Sequence, residues 1–511
     1  MKPCMAEFGS IRKKAAAAPS ISHCRMNRSQ TEVMIGMKLS NWILRISLIA
    51  MVILSFIFTS LIWRNPSRQE RRSTSSMQVT TENDPNVKKM EATVYLPSRV
   101  YYTHGDQKQM LFQANASMGS RVHQEMASWH MQQIKTIGKV SQNNYENFLT
   151  QNGSLQLVYQ DVMSFNHFER WFFNKQPNLK SADFHFNRIL FDLDGSGNKL
   201  IFINDATRTV YEAKMANVTT NKLRDAVAKQ ATGAFPVEER RLGNSEVAFF
   251  TRPIKLQPYA YLMDQQSANY YVSLLMPSKT ASNVDSREIG DSTLYTAGST
   301  RRMTADSSTG AIEFENYAAN FPSTGLANFF HATFEGLSDL QMTNLASMRY
   351  FQYDASRSAV IYKTFVQGFP IFNGYQKGDV TVRYTQTSEE INFSNTNLTV
   401  PIPTDQAAQT LPATATILSQ LEAAGYRANQ ITDILIGYQW TGSSNDQQVV
   451  DLQPTYYIEM KGEYRDYQSW INHQTDQQAN AASEQTAAST ATPSNDAASA
   501  SVSTSGSSQS Q

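Results

Sequence analysis

Asp192, Asp194, Ser196 and Asn198 stand at alternating positions with Gly197 sixth, the spacing with which a calcium loop begins to present its oxygen ligands. The twelfth position is Ile203, where the bidentate glutamate belongs, so the strongest ligand is missing. Asp, Gly, Ser and Asn are also what a tight turn selects, and the segment is expected to be a hairpin turn with no metal. The histidines beyond residue 100, at 104, 123, 130, 167, 185, 331 and 473, contain no helical pair with the intervening glutamate of a zinc site. His123 and His130 share an expected helix face near Glu125, but two turns separate them by about 10 Å, too far to share a metal. Surface or capping roles are expected for these side chains.

Hydrolase chemistry finds little support in the spacing. Gly290, Asp291 and Ser292 open a nucleophile-elbow pattern, but Leu294 occupies the position where the sharp turn needs glycine. Ser10 and Lys13 have Ser-x-x-Lys spacing yet lie in a basic, unpatterned leader. No cysteine follows Cys24, and no glycine-rich loop could cradle a phosphate. The chain is therefore expected to be no enzyme and to need no cofactor, since a wall hydrolase would require a His and carboxylate cluster assembled from distant sequence.

One further set could act by contact. Ser47, Met51, Ser55 and Thr59 recur every four residues within the apolar run Ile46 to Trp63, drifting about 40° per step, so they cover one face of a helix. Small hydroxyl residues let helices in a membrane approach closely and bond across, and the four are taken as a candidate partner-helix interface. Random placement of Ser and Thr is the competing account.

The element that must position this face is the run itself. Its eighteen residues carry no charge and would rise about 27 Å as a helix, close to the hydrocarbon thickness of a bilayer. Trp42 and Trp63 bracket it as interfacial rings would. A secretory signal peptide is the rival, but its apolar core is shorter and ends in a small-x-small site, whereas this run ends in LIWRNP. A single uncleaved span over 42–63 is expected. Eight Lys or Arg lie within residues 1–45, which favours an N-terminus inside. If Met37 is the initiator, residues 1–36 are not translated, only Lys38 and Arg45 remain inside, and Arg64, Arg68, Arg71 and Arg72 oppose that orientation.

Both cysteines, Cys4 and Cys24, precede Met37, as suits a large extracytoplasmic region without a disulfide framework. With 45 basic and 44 acidic residues and no basic block beyond the membrane-proximal arginines, nucleic acid is excluded as a partner. Those arginines flank the membrane, either simply solvated or touching anionic headgroups.

The expected organisation is a cytoplasmic tail over 1–41, the span over 42–63, a polar spacer over 64–92, three extracytoplasmic domains at 93–245, 246–372 and 373–473, and a disordered tail over 474–511. The tail is almost wholly Gln, Ala, Ser, Thr and Asn, too polar to offset the entropy of ordering. The first domain is expected to open with a strand at 93–97, to continue through helical stretches at 119–137 and 142–150, and to contain a hairpin in which 184–193 alternates into the turn and LIFI returns. In the second, strands at 292–297 and 311–317 flank a polar segment, then a helix covers 326–337 and strands follow at 348–353 and 358–366. The third has strands at 379–384 and 390–393, a helix over 412–425 ending at Gly425, and strands at 433–440 and 455–460. The fold class is thus α+β, the last two domains being related modules of antiparallel sheet plus helix about 90 residues apart.

MKLSNWILRI (37–46), WRNP (63–66), TLYTA (293–297) with RRM (301–303), AIEFENY (311–317), VQGFPIF (366–372), GYQW (437–440) and VVDLQPTYYI (449–458) resemble the YycH regulatory family over about residues 37–470. The resemblance implies a single-pass extracytoplasmic accessory protein of Firmicutes with three outer domains. It implies action, with the related protein YycI, on the YycG (WalK) sensor histidine kinase of a two-component system controlling cell-wall metabolism, through contacts between membrane helices. The N-terminal extension and the long polar tail depart from the family's pattern and inherit no role. The alternative is an envelope binding module that recognises wall polymer or a peptide on a sheet edge or groove, with the span as a passive tether.

Overall fold

A computed structural model of the chain describes residues 47–49, 51–52, 55, 85–112, 118–174, 182–195, 197–231, 233–243, 245–277, 284–373, 377–442 and 448–473. It divides into Met1–Thr81 and Glu82–Gln511. In the first unit the described residues of the apolar run are helical and exposed. Among the described residues no helix is long and apolar enough to cross a membrane. Most of the expected span, and the expected tail over 474–511, lie outside them.

The second unit opens with the helix Pro85–Val94. Proline suits a first helical position, where its missing N–H costs nothing, and Pro97 prevents continuation beyond the following turn. Glu91, Ala92, Val94 and Tyr95 are buried, a helical rather than an alternating spacing. This corrects two expectations: residues 85–92 are not spacer, and 93–97 is not a strand. A third correction falls at 119–137, which divides into the helix Met118–Met126 and the strand His130–Lys139. Pairing along Thr209–Ala216 decides the conformation of this polar segment, which helical pattern alone misassigns.

The N-terminal part builds an antiparallel sheet of nine strands among the described residues. Its order is His130–Lys139, Thr209–Ala216, Lys199–Asn204, His185–Asp192, Ser154–Ser164, Arg99–His104, Gln107–Met110, Phe235–Leu242 and Ser245–Phe250. The expected hairpin is its His185–Asp192 and Lys199–Asn204 pair. Val100 and Tyr101 point to opposite faces and are both buried, so this central strand is covered on both sides. Val100 joins a core that also holds Phe330 and Phe334, whereas Tyr101 joins one with Ile434 and Tyr456.

Most of the remaining strands form one long sheet. Val284–Ile289, Ser292–Ala297, Arg301–Asp306 and Ala311–Asn316 make a meander, so the polar segment expected between two strands is itself a strand. It was hidden because few of its side chains are buried, which removes the apolar alternation. Ala311–Asn316 then pairs with Glu389–Ser394, and Asp379–Tyr384 pairs with both Glu389–Ser394 and Ala359–Val366. The expected boundary at 372/373 therefore cuts through a sheet. The helix Leu326–Asp339 lies so close to these strands that a Cβ on Gly336 would meet Val382 at 3.2 Å and Ile391 at 3.3 Å. Tyr259–Gln265 completes the last sheet by pairing with Val449–Met460 and Thr396–Ile402, while Ile254–Leu256 and Gln409–Leu411 form a separate two-stranded sheet. The C-terminal module is thus split in sequence, with the middle module between its parts. Phe369–Phe372 joins the two by pairing antiparallel with Ala359–Val366 and parallel with Ile431–Gly442.

Candidate functional site

The leading helix enters the unit through a cluster of polar groups buried between three helices. Phe165–Phe172 is amphipathic, with Phe165, Phe168 and Phe172 buried, and its N-cap Ser164 accepts from His167 N at 3.2 Å. Leu326–Asp339 buries Phe330, Thr333, Phe334 and Leu337 on one face. Between them, Glu91 Oε1 lies 2.9 Å from His331 Nδ1 and 3.9 Å from His167 Nε2, while His331 Nε2 is 3.8 Å from Glu335.

The two imidazoles differ in electrostatic setting. The hydrogen bond to Glu91 raises the pKa of His331 above the ordinary histidine value, against the opposing effect of burial. His167 is wholly buried, and that burial, with Arg170 and His331 nearby, holds its pKa well below the ordinary value. Glu91 is thus bonded to a histidine that favours its proton and faces another that refuses one.

A chain of hydroxyls extends the cluster. Tyr95 donates to Phe330 O at 2.7 Å and lies 2.8 Å from the Tyr362 hydroxyl, which is 2.9 Å from Thr333 Oγ1. Burial raises the pKa of both tyrosines, which stay protonated and able to donate. The His167 ring meets Tyr95 edge-on with centroids 4.3 Å apart. These groups fasten the leading helix to the rest of the unit and bring no nucleophile to a base.

A second polar region, a cleft of about 280 Å³, lies between the nine-stranded sheet and the C-terminal strands. Asp433 accepts from Tyr464 at 2.8 Å and Gln160 at 2.5 Å, and Asp161 accepts from Val162 N at 2.7 Å and Tyr353 N at 2.9 Å. Burial raises the pKa values of Asp161, Glu246 and Glu459 on its walls. Nearby, the fully buried Arg188 meets Asp205 at 2.9 Å, Glu239 at 2.7 Å and Gln156 at 2.8 Å, while Lys108 also meets Glu239. That network pairs two cations with two carboxylates and fixes the sheet. Among the described residues lining the cleft, the titratable side chains are Arg99, Asp161, Asp205, Glu246, Asp433, Glu459 and Tyr464.

Of the four residues on the proposed partner face, Ser47, Met51 and Ser55 are helical and exposed, and Thr59 lies outside the described residues. Asp192 Oδ1 accepts from Gly195 N at 2.8 Å, which closes a turn, and Asp194 accepts from the Tyr102 hydroxyl on Arg99–His104 at 3.0 Å. Among the described residues no group of three or more His, Cys, Asp or Glu could hold a metal ion. His123 is helical and contacts Phe172 O at 2.9 Å, whereas His130 is in a strand, which corrects the shared helix face. Gly290 has φ of +60° and turns the Val284–Ile289 hairpin instead of an elbow.

Two family models match the chain: YycH protein, N-terminal domain, over residues 43–232, and YycH protein, C-terminal domain, over residues 246–473. The crystal structure of YycH from Bacillus subtilis is similar with a TM-score of 0.61, covering 74% of this chain and 96% of that one at 13% identity, a likeness of fold. No curated protein matches the chain.

Proposed function

The chain belongs to the YycH family, whose membership implies a regulator of the YycG kinase system, and from that premise we propose that it is a non-enzymatic, membrane-anchored, extracytoplasmic regulator of the YycG (WalK) sensor kinase. It acts with a YycI-like protein through contacts between membrane helices and thereby controls cell-wall homeostasis. Its span is 42–63, its N-terminus is cytoplasmic, and the large C-terminal region is outside. The observation that carries this reading is the pair of family matches from residue 43, inside the expected span, to 473. The buried attachment of Glu91 and Tyr95 supports it, because a helix fastened at that end can pass displacement to the modules it touches.

Replacing residues 46–63 with poly-Leu keeps an anchor and removes the hydroxyl face. Kinase output is expected to change and co-purification of the kinase and the YycI-like protein to fall. Unchanged output and co-purification contradict the helix-contact mechanism.

A further inference from the structure

A groove of about 290 Å³ opens where three parts of the fold meet: the turn at Pro97, the segment around the short turn Leu345–Ser347, and the C-terminal strands at Tyr261 and Leu398. Its volume is near the lower end of small-molecule sites, the size of one sugar. Part of its wall is the two-residue turn at Gln367 and Gly368, with φ of +53° and +85°, between the paired Val366 and Phe369. Positive φ at both central positions is the hairpin geometry that matches strand twist, so this wall is firmly set.

The charge of the groove is one-sided. Arg349 is the sole charged lining residue, and no carboxylate stands on any wall. Its Nη1 donates to Ala346 O at 2.8 Å and Met348 O at 2.6 Å, two neutral carbonyls. Its Nε and Nη2 have no partner among the described residues, and it forms no ion pair among them. Burial without a compensating anion lowers its pKa to about 10, which leaves it charged at neutral pH. Beside it, Asn344 is 6% exposed, donates through Nδ2 to Thr364 Oγ1 at 3.2 Å, and keeps Oδ1 without a partner. Buried polar atoms are seldom left bare, and Asn344 Oδ1 is one partner short.

We propose that this groove binds a small hydroxylated anion, with Arg349 on its carboxylate or phosphate and Asn344 on a hydroxyl. The guanidinium fork matches either anionic group, and the adjoining amide requires a donor that a plain inorganic anion lacks. A ligand held here touches all three parts of the fold and favours their joined arrangement. This inference is independent of the kinase reading, because it concerns only the outer unit.

The test is calorimetric titration of the full chain in nanodiscs of zwitterionic lipid, with glucuronate, glycerol 3-phosphate, glucose and sulfate in separate arms. Saturable binding of glucuronate or glycerol 3-phosphate below about 10 mM, with glucose and sulfate at least about tenfold weaker, is expected. The arm that binds identifies carboxylate or phosphate. Arg349→Gln should weaken binding at least about tenfold. Ser347→Trp, an exposed position on the rim, fills the groove without disturbing the core and should also abolish binding, a check that stands if Arg349→Gln fails to fold. No saturable binding by either organic anion, glucose or sulfate binding as tightly, or full binding by Ser347→Trp overturns the proposal.

Discussion

One carboxylate, Glu91, faces His331 at 2.9 Å and His167 at 3.9 Å, and the two imidazoles respond to acid in opposite directions. The folded pKa of His331 is raised, so its contribution to stability is fully present below the unfolded value near 6.5 and is lost as pH rises through the folded value. That of His167 is depressed by burial, so below about 6.5 the unfolded chain takes up a proton that the fold refuses, and stability falls with acid. Arg170 and Glu335 complete the charged surroundings of His331. His331→Gln should therefore destabilise the chain more at pH 6 than at pH 9, by about 1–2 kcal/mol at the lower pH, seen as a lower thermal midpoint. An effect that grows with rising pH would contradict the assigned charge state. Little of this cluster was legible in the sequence. Glu91 and His331 are 240 positions apart, and no local spacing announces their meeting. His167 did carry a signal, since it sits among Phe165, Phe168 and Phe172 after a capping serine, where a histidine is carried into the core.

At the scale of elements, helices and strands with a well-marked apolar pattern were legible and those with few buried side chains were not. Leu326–Asp339 and the pair Met348–Asp354 with Ala359–Val366 stand where apolar spacing places them, within one or two residues at most ends. Arg301–Asp306 escaped because its residues are mostly half-buried, and Pro85–Val94 because only its last turns are buried. Strand partnership was the harder quantity. Tyr259–Gln265 joins Val449–Met460 across nearly two hundred residues, a choice made by packing against the C-terminal core. The junction of the modules depends on a close approach at Gly437, where a Cβ would meet Phe372 ring carbons at 2.8 Å and Pro370 O at 2.9 Å. Gly437→Val should cost about 1–3 kcal/mol through overpacking, measured as a shift in the denaturation midpoint of the full chain in detergent. A neutral substitution would show that the parallel pairing at Ile371 and Tyr438 does not constrain the junction.

At the scale of the whole molecule, three outer domains are expected from the sequence, and the cores of the described residues between 85 and 473 run across the expected boundaries. One core joins Val94 and Phe168 to Phe330 and Phe393, and the other joins Val237 and Phe250 to Ile417 and Tyr456. Such sharing ties the described outer residues together by packing, and the partner contact is proposed for the apolar run instead. Cys4 and Cys24 are the native cysteines, so a chain with both changed to Ser accepts single reporter cysteines. The decisive measurement is a disulfide-crosslinking scan of positions 43–63 against the membrane helices of the kinase and the YycI-like protein in native membranes. Crosslinking that peaks at 47, 51, 55 and 59 and falls between them is the predicted result, with the period of one helical face. Uniform crosslinking along the run, or none to either partner, would contradict regulation through the span.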